Sequence, residues 1–329
     1  MTTTAVSPVL LLTAVVRRVE RLSPSFVRIR FGGRGFEHLG PEGPTLDQRV
    51  KLLIPPAGRP VPTARIDYEG WYAAWLALPE PERGHLRTYT ARAVEGEDQQ
   101  RQLVVDFVLH GAPGAGFGGH GPAGPAGTWA AAAAVGDEVG LVAPRRGHED
   151  DFGGIEFAPG ADQRLVLVAD ETALPALASI VESLPPDSRG VAVVEVPDAA
   201  DFLDVRFPAG MERHWIARRA RPRGEQTLVR LRECLHLGPH GRPARDLPSL
   251  GPAADRDEDV WETPVHSSSG DDLVAVGELQ ARSGAGDTYA WVAGDSDTVK
   301  ACRRLLVGEG GLSRSNVAFM GYWKHGRAS

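Results

Sequence analysis

The sequence predicts two domains of different class, a β-rich first part followed by a parallel α/β second part. Three observations carry this. Short apolar or alternating runs fill the first 157 residues, and Gly, Pro and Asp separate them, which is the punctuation of a barrel or sandwich. From residue 164 strand-like runs alternate with helical spacing, the pattern of a parallel sheet. The chain has 329 residues, more than the roughly 250–300 a single core supports. The boundary is placed between residues 157 and 158, within GGIEFAPGAD.

The expected strands of the first part are Val9–Val16, Ser25–Phe31, Arg49–Ile54, Leu86–Val94 and Leu103–Leu109. In SFVRIRF, Val27, Ile29 and Phe31 alternate with Arg28 and Arg30, so one face is apolar. In the second part, Arg164–Ala169, Gly190–Val196, Arg213–Ala217 and Thr288–Ala293 read as buried strands. Thr172–Leu184 and Asp297–Val307 carry helical spacing. Residues 111–127 are rich in Gly and Pro, and 239–272 are expected to be a mobile loop or insertion.

The bulk properties exclude several classes. The formal net charge is −7, so the broad basic field of a nucleic-acid binder is missing. The two cysteines, Cys234 and Cys302, form no C-x-x-C pair, which excludes thiolate zinc sites and iron–sulfur clusters. The apolar run Val9–Val16 is too short to span a bilayer. Arg17 and Arg18 follow it rather than precede it, the wrong polarity for a signal peptide. The expectation is a cytoplasmic monomer with no nucleic-acid or membrane partner.

Five constellations carry chemistry. His85–Arg92, HLRTYTAR, places a cation, an aromatic ring and hydroxyls on one strand. After a glycine-rich run, Gly124–Val135 turns helical, with Thr128 as the expected N-cap. Such a helix start can hold a diphosphate. In Val168–Pro175, VADETALP, a strand ends and a helix begins, with Thr172 as a possible cap and no G-x-G-x-x-G loop. Arg218, Arg219, Arg221 and Arg223 follow the third strand and could hold a nucleotide 2′-phosphate or form a solvated loop. Tyr322, Trp323, Lys324 and His325 cluster near the end of the chain.

Taken in order, Val50–Leu53, Arg87–Thr90, Asp106–Gly111, Gly124–Ala130, Asp170–Pro175, Tyr289–Gly294 and Gly321–Trp323 resemble the siderophore-interacting protein family. These are FAD-dependent ferric-siderophore reductases of the ferredoxin–NADP⁺ reductase-like superfamily. The resemblance spans nearly the whole chain. It implies an N-terminal split β-barrel that binds FAD (1–157) and a C-terminal parallel-sheet domain for NADPH or NADH (158–329). It assigns Arg87 to the flavin phosphates, Tyr89 to the isoalloxazine and Thr90 to the neighbourhood of N5, with Thr88 between them. Asp106, His110 and Gly111 continue the flavin side, and Gly127, Thr128 and Trp129 match the diphosphate stretch. Asp170, Thr172 and Ala173 stand at the nicotinamide-cofactor turn.

The implied activity is NAD(P)H-dependent reduction of a ferric siderophore through FAD. A basic pocket for an anionic chelate is expected to use Lys51, Lys324, Arg145 and Arg146. The arginine cluster at 218–223 favours NADPH, with NADH or ferredoxin as other donors. The alternatives are a general NAD(P)H:flavin oxidoreductase and a non-catalytic siderophore-binding protein.

Overall fold

The computed structural model describes residues 7–61, 70–109, 124–148, 153–237, 261–263, 266–267 and 288–324. The chain forms two compact units, Met1–Ile155 and Glu156–Ser329.

The first unit is a curled antiparallel sheet. Its strands are β1 (Val9–Arg21), β2 (Phe26–Gly32), β3 (Arg49–Ile54), β4 (His85–Thr90), β5 (Ala93–Glu95), β6 (Gln102–Val108) and β7 (Glu138–Pro144). They lie in the order β4-β3-β7-β1-β2-β6-β5. β1 serves two neighbours: Val9–Val15 pair with β7 and Val15–Arg21 with β2, and an irregularity between Val16 and Arg18 turns the strand from one to the other. Alternation sets the faces. Val27, Ile29, Phe31, Val50, Leu52 and Ile54 point into one core with Leu103, Val105 and Phe107.

The run expected as one strand, Leu86–Val94, is broken. The Ala91 amide donates to the Gln48 carbonyl at 2.8 Å, and the next amide, Arg92, donates to Val104 of β6 at 2.9 Å. One bent strand therefore closes both edges of the curled sheet, since β4 pairs β3 and β5 pairs β6. This is the split β-barrel that the family resemblance implies, where the strand pattern by itself allows a barrel or a sandwich.

Among the described residues three α-helices decorate this unit: α1 (Trp71–Ala77), α2 (Glu80–Arg83) and α3 (Pro125–Ala132). On the outer face Trp75 of α1 packs on Leu53, with Leu11, Trp71 and Leu86 around them. α3 places Ala126 and Ala130 in the barrel core. It starts earlier than expected. Pro125 has its φ preset for a first helical position, so the N-cap is Gly124. Thr128 is already inside the helix, its amide donating to the Gly124 carbonyl at 2.9 Å.

The second unit is a sheet of β8 (Arg164–Ala169), β9 (Arg189–Val196), β10 (Gly210–Ala217), β11 (Trp261–Thr263), β12 (His266–Ser267), β13 (Thr288–Asp295) and β14 (Val317–Trp323). The order is β10-β9-β8-β13-β14-β11-β12. The first five are parallel. β11 and β12 add an antiparallel edge, so the sheet is mixed rather than purely parallel. These two short strands also lie inside the segment expected to be a loop, 239–272; the rest of that segment falls outside the described residues.

The helices of this unit are α4 (Leu174–Ser183), α5 (Glu225–Cys234) and α6 (Ser296–Arg303), the last continuing into a π-type turn at Arg304–Glu309. Val166, Val168, Val191, Val193, Val292 and Phe319 of the sheet pack with Leu231 of α5 and with Val299 and Cys302 of α6. From β8 the chain moves first to β9 on one side and later to β13 on the other. The strand order therefore reverses between β8 and β13, the point where open α/β sheets bind ligands at their strand C-termini.

Candidate functional site

In the first unit, β4, β6 and the start of α3 converge. Pairing puts Tyr89 opposite Val50 and Arg87 opposite Leu52, so both lie on the core side of β4. The Tyr89 ring packs on Phe107 of β6, centroids 4.5 Å apart. Phe107 in turn meets Trp129 of α3 at 5.9 Å, and Trp129 stacks on Phe31 at 6.3 Å. Burial holds the Tyr89 hydroxyl well above the usual tyrosine range, against the lowering effect of Arg87. The phenol therefore acts as a neutral flat surface.

Arg87 donates through Nη1 to the Leu86 carbonyl at 2.8 Å, and no described carboxylate pairs with it. No described side chain caps α3, so among the described residues its first-turn amides are open to an anion. A methyl group at Gly127 would stand 3.6 Å from the Val108 carbonyl, so the helix start runs close along the end of β6. A cation, an uncapped helix start and a neutral aromatic surface fit a flat cofactor that carries a diphosphate. His110 and Gly111 lie outside the described residues.

The other expected residues divide. Thr90 is buried opposite Arg49. Thr88 faces outward and accepts from Lys51 Nζ at 3.2 Å. Burial and the neighbouring Arg49 hold Lys51 below the usual lysine range, and no described carboxylate neutralises it. Asp106 is expected at the cofactor, but its carboxylate accepts both Arg28 Nε and Nη2, at 2.7 and 2.8 Å, and its side chain is 1% exposed. It therefore braces Arg28 and does not face a ligand. Arg145 donates through Nε to the Ser7 carbonyl at 2.7 Å, which ties it to the chain ahead of β1. Arg146 is exposed.

In the second unit, Asp170 ends β8 and organises the strand C-termini. Its Oδ1 accepts from the Thr172 amide (2.8 Å), the Thr172 hydroxyl (2.6 Å) and the Ala173 amide (3.2 Å). Its Oδ2 accepts from the Asp295 amide and from Trp323 Nε1, both at 2.8 Å. The expected cap, Thr172, thus caps nothing, and no described side chain caps α4; Asp170 instead gathers the two amides ahead of the helix, while its own carbonyl accepts from the Leu174 amide at 2.9 Å. Burial and the charge of Glu171 raise Asp170 to about 6, against the lowering effect of Thr172, Trp323 and Asp295.

Beside it, Glu171 is fully buried and accepts Arg218 Nη1 and Nη2 at 2.9 and 3.0 Å and Arg223 Nη1 at 2.8 Å. Glu195 takes a further contact from Arg218 at 3.3 Å, together with the Thr227 hydroxyl at 2.8 Å. Burial lowers Arg218, but hydrogen bonds and charge from Glu171, then Glu195, outweigh it and hold the guanidinium above its usual value. The Arg223 guanidinium also stacks on Trp323 at 4.7 Å. The arginine cluster expected to meet a 2′-phosphate is therefore split. Arg218 and Arg223 are neutralised inside the protein, and only Arg219 and Arg221 are exposed. Lys324 follows β14, one residue past Trp323.

Glu195 belongs to these sites and was not expected there, and Phe107, Glu171 and Asp295 lie in or beside the motifs of the resemblance but were given no role. Phe107 was legible as an inward position of β6. The carboxylates had no local signal, because their partners are distant in sequence. Among the described residues no helix is long and apolar enough to cross a membrane, and no group of three or more His, Cys, Asp or Glu side chains is placed to hold a metal ion.

Comparison with known proteins gives the same assignment for both units. Residues 15–148 match the siderophore-interacting FAD-binding domain, and residues 162–326 match the siderophore-interacting protein model. An uncharacterised protein of Mycobacterium tuberculosis is 34% identical over 200 residues, covering 61% of this chain and 62% of that protein. The chain thus spans less than two thirds of that relative. The ferric vibriobactin reductase ViuB of Vibrio cholerae is 27% identical over 243 residues, 73% of this chain and 65% of that protein. A siderophore utilization protein from T. fusca superposes with a TM-score of 0.63 at 27% identity, covering 98% of this chain and 95% of that one. A fold of this kind and two family matches that together span both units place the chain in the siderophore-interacting protein family.

Proposed function

We propose that this protein is an FAD-dependent ferric-siderophore reductase that draws electrons from a nicotinamide dinucleotide. The observation that carries the reading is the convergence of Arg87, Tyr89 and the uncapped start of α3 in a domain of the FAD-binding type. A module that only held a chelate would have no use for that set. Bound FAD accepts a hydride, two electrons at once, and gives up electrons singly, which matches a two-electron donor to a one-electron acceptor.

The residues of this chain have simpler tasks. Arg87 and the α3 amides hold phosphate charge. Tyr89, backed by Phe107, supplies the flat wall. Thr90, by the family resemblance, would stand at the edge of the ring system. One NAD(P)H converts two ferric ions to two ferrous ions, and ferrous iron is bound less tightly by hard oxygen chelators. Lys51, an unneutralised cation on the outer face of β3, attracts an anionic chelate, and Lys324 has the same role after β14. Arg146 is an exposed cation of the same kind, whereas Arg145 has only a secondary part. The domains are assigned as 1–157 for FAD and 158–329 for the dinucleotide.

Anaerobic titration tests the reading. The FAD-loaded protein is mixed with NADPH or NADH, and bleaching of the flavin band is followed. Ferric chelates are then added with a ferrous trap. Reoxidation of the flavin with one trapped ferrous ion per electron is expected. A colourless protein that cannot be reconstituted with FAD overturns it.

A further inference from the structure

The switch point between β8 and β13 is where a dinucleotide diphosphate would ordinarily rest, on amides at the start of the following helix. Here that cradle exists, and a side chain of the protein fills it. The Thr172 and Ala173 amides in the turn just ahead of α4 and the Asp295 amide at the end of β13 all point at one anion, the Asp170 carboxylate. The Thr172 hydroxyl and the Trp323 indole complete its shell.

Three further observations show how closely it is held. A methyl group at Gly294 would stand 2.5 Å from the Asp170 carboxyl carbon, so β13 must lack a side chain there for the carboxylate to fit. The cavity left at these strand ends is about 10 Å³, room for one water at most. Asp295 Oδ1 lies buried at the same crevice with no described hydrogen-bond partner, so a second carboxylate faces the space. An incoming diphosphate would meet two carboxylates and find the amides already taken.

The cations of the same rim tell where phosphates can go. Arg218 and Arg223 are neutralised by Glu171 and Glu195. Arg219 and Arg221 remain. The Arg219 amide donates to the Pro197 carbonyl at 2.8 Å, which joins the loop after β10 to the loop after β9. Its side chain is 70% exposed and only 3.6 Å from Asp198, a weak surface pair. Arg221 is exposed without a described partner.

We propose that Asp170 is a specificity determinant for the electron donor: its carboxylate occupies the phosphate cradle, so the donor's phosphates are shut out of the switch point and bind instead at Arg219 and Arg221, at the ends of β9 and β10. This rests on the reading that the donor is a nicotinamide dinucleotide. It implies that the donor is anchored from its adenosine side.

Thermal melting of the FAD-loaded full chain with inorganic pyrophosphate tests the cradle directly. Asp170→Gly empties it, and Asp170→Ser is the milder variant should the first fail to fold. The expected result is that pyrophosphate restores melting temperature to either variant, and that the same concentration does so in an Asp170→Gly, Arg219→Ala, Arg221→Ala background. Wild type with these two arginines replaced is expected to show no pyrophosphate response. It is also expected to show a KM for NADPH at least tenfold higher with kcat retained. If that double variant keeps its KM, or if neither Asp170 variant responds to pyrophosphate, the proposal is overturned. Failure of every dinucleotide to reduce wild-type flavin would instead refute the donor, while the melting response would still judge the cradle.

Discussion

Replacing Glu171 by Gln removes one charge from a buried set and leaves its partners in place. Arg218 has a side chain only 4% exposed and receives two of its three carboxylate contacts from Glu171. Arg223, 20% exposed, turns to the same carboxylate. Truncating one partner of a buried ion pair costs about 3–5 kcal/mol, because the other charge stays desolvated. Glu195 keeps a contact with Arg218, so the lower end of that range is expected.

The opening of this unit can be read at a single atom. The Cys302 thiol is fully buried on α6, and burial pushes it up to about 12. A thiol reagent reaches it only when the unit opens. In a Cys234→Ser background, a loss of about 3–5 kcal/mol speeds labelling of Cys302 roughly 10²–10⁴-fold, by the tenfold-per-1.4 kcal/mol relation. Replacing Glu171 by Leu and Arg218 by Met together should recover only part of the loss, since the buried Glu195 then loses its cation and keeps the Thr227 hydroxyl and Gly224 amide, and Arg223 loses its carboxylate. An acceleration below tenfold for Glu171→Gln would refute the argument that this network holds the strand ends together.

Four other outcomes follow from the same structure. Arg87→Ala should weaken FAD binding by about 10–100-fold, the worth of a charge-assisted phosphate contact, and Tyr89→Ala should lower flavin retention; unchanged flavin content after ultrafiltration would count against both placements. Lys51→Ala should raise the KM for an anionic ferric chelate more than the KM for NADPH, and equal changes would remove Lys51 from the substrate pocket. Gly294→Ala forces a Cβ into the Asp170 carboxylate at a φ of +142°, so it should destabilise the second unit by about 1–3 kcal/mol or more in urea titrations. The Asp170 carboxyl, at about 6, lies above its unfolded value of about 3.9. The folded state therefore binds this proton more readily, and the contribution to stability is full below pH ~4 and lost as pH rises through ~6. Urea midpoints of wild type minus Asp170→Ser should show that window, and a flat difference between pH 4 and 7 would contradict it.

What the sequence revealed depended on how local the cause was. SFVRIRF alternates from Val27 onward and RVKLLI alternates until its apolar end at Leu52–Ile54, and β2 and β3 form where expected. HLRTYTARAV also alternates, yet the chain bends at Ala91–Arg92, because two different neighbours, Gln48 and Val104, claim successive amides. β7 escaped notice since Val139–Pro144 is buried throughout and shows no alternation after an alanine run. Thr128 and Thr172 are both natural caps by type, but Pro125 starts α3 early and Asp170 takes up the Thr172 hydroxyl and the amides ahead of α4. The arginine run at 218–223 looked like one cation patch. Glu171 lies 47 and 52 residues from Arg218 and Arg223, a separation no local pattern carries. The order of motifs was legible nevertheless, and it pointed to the family that both domain matches support.

The double pairing of β1 has a consequence for synthesis. Leu12 is made well before its partner in β7, Leu141, and β7 also supplies the partner of Leu52. During translation the hairpin of β1 and β2 can form early, but one side of β1 stays open until residue 144 has left the ribosome. That side is apolar at Leu10, Leu12 and Ala14, a strand edge able to pair with a neighbouring chain. The interval between the two events is the stage at which this protein is most exposed to misassembly. Chains stalled before Glu138 should therefore recruit holdase chaperones, and chains stalled beyond Pro144 should release them.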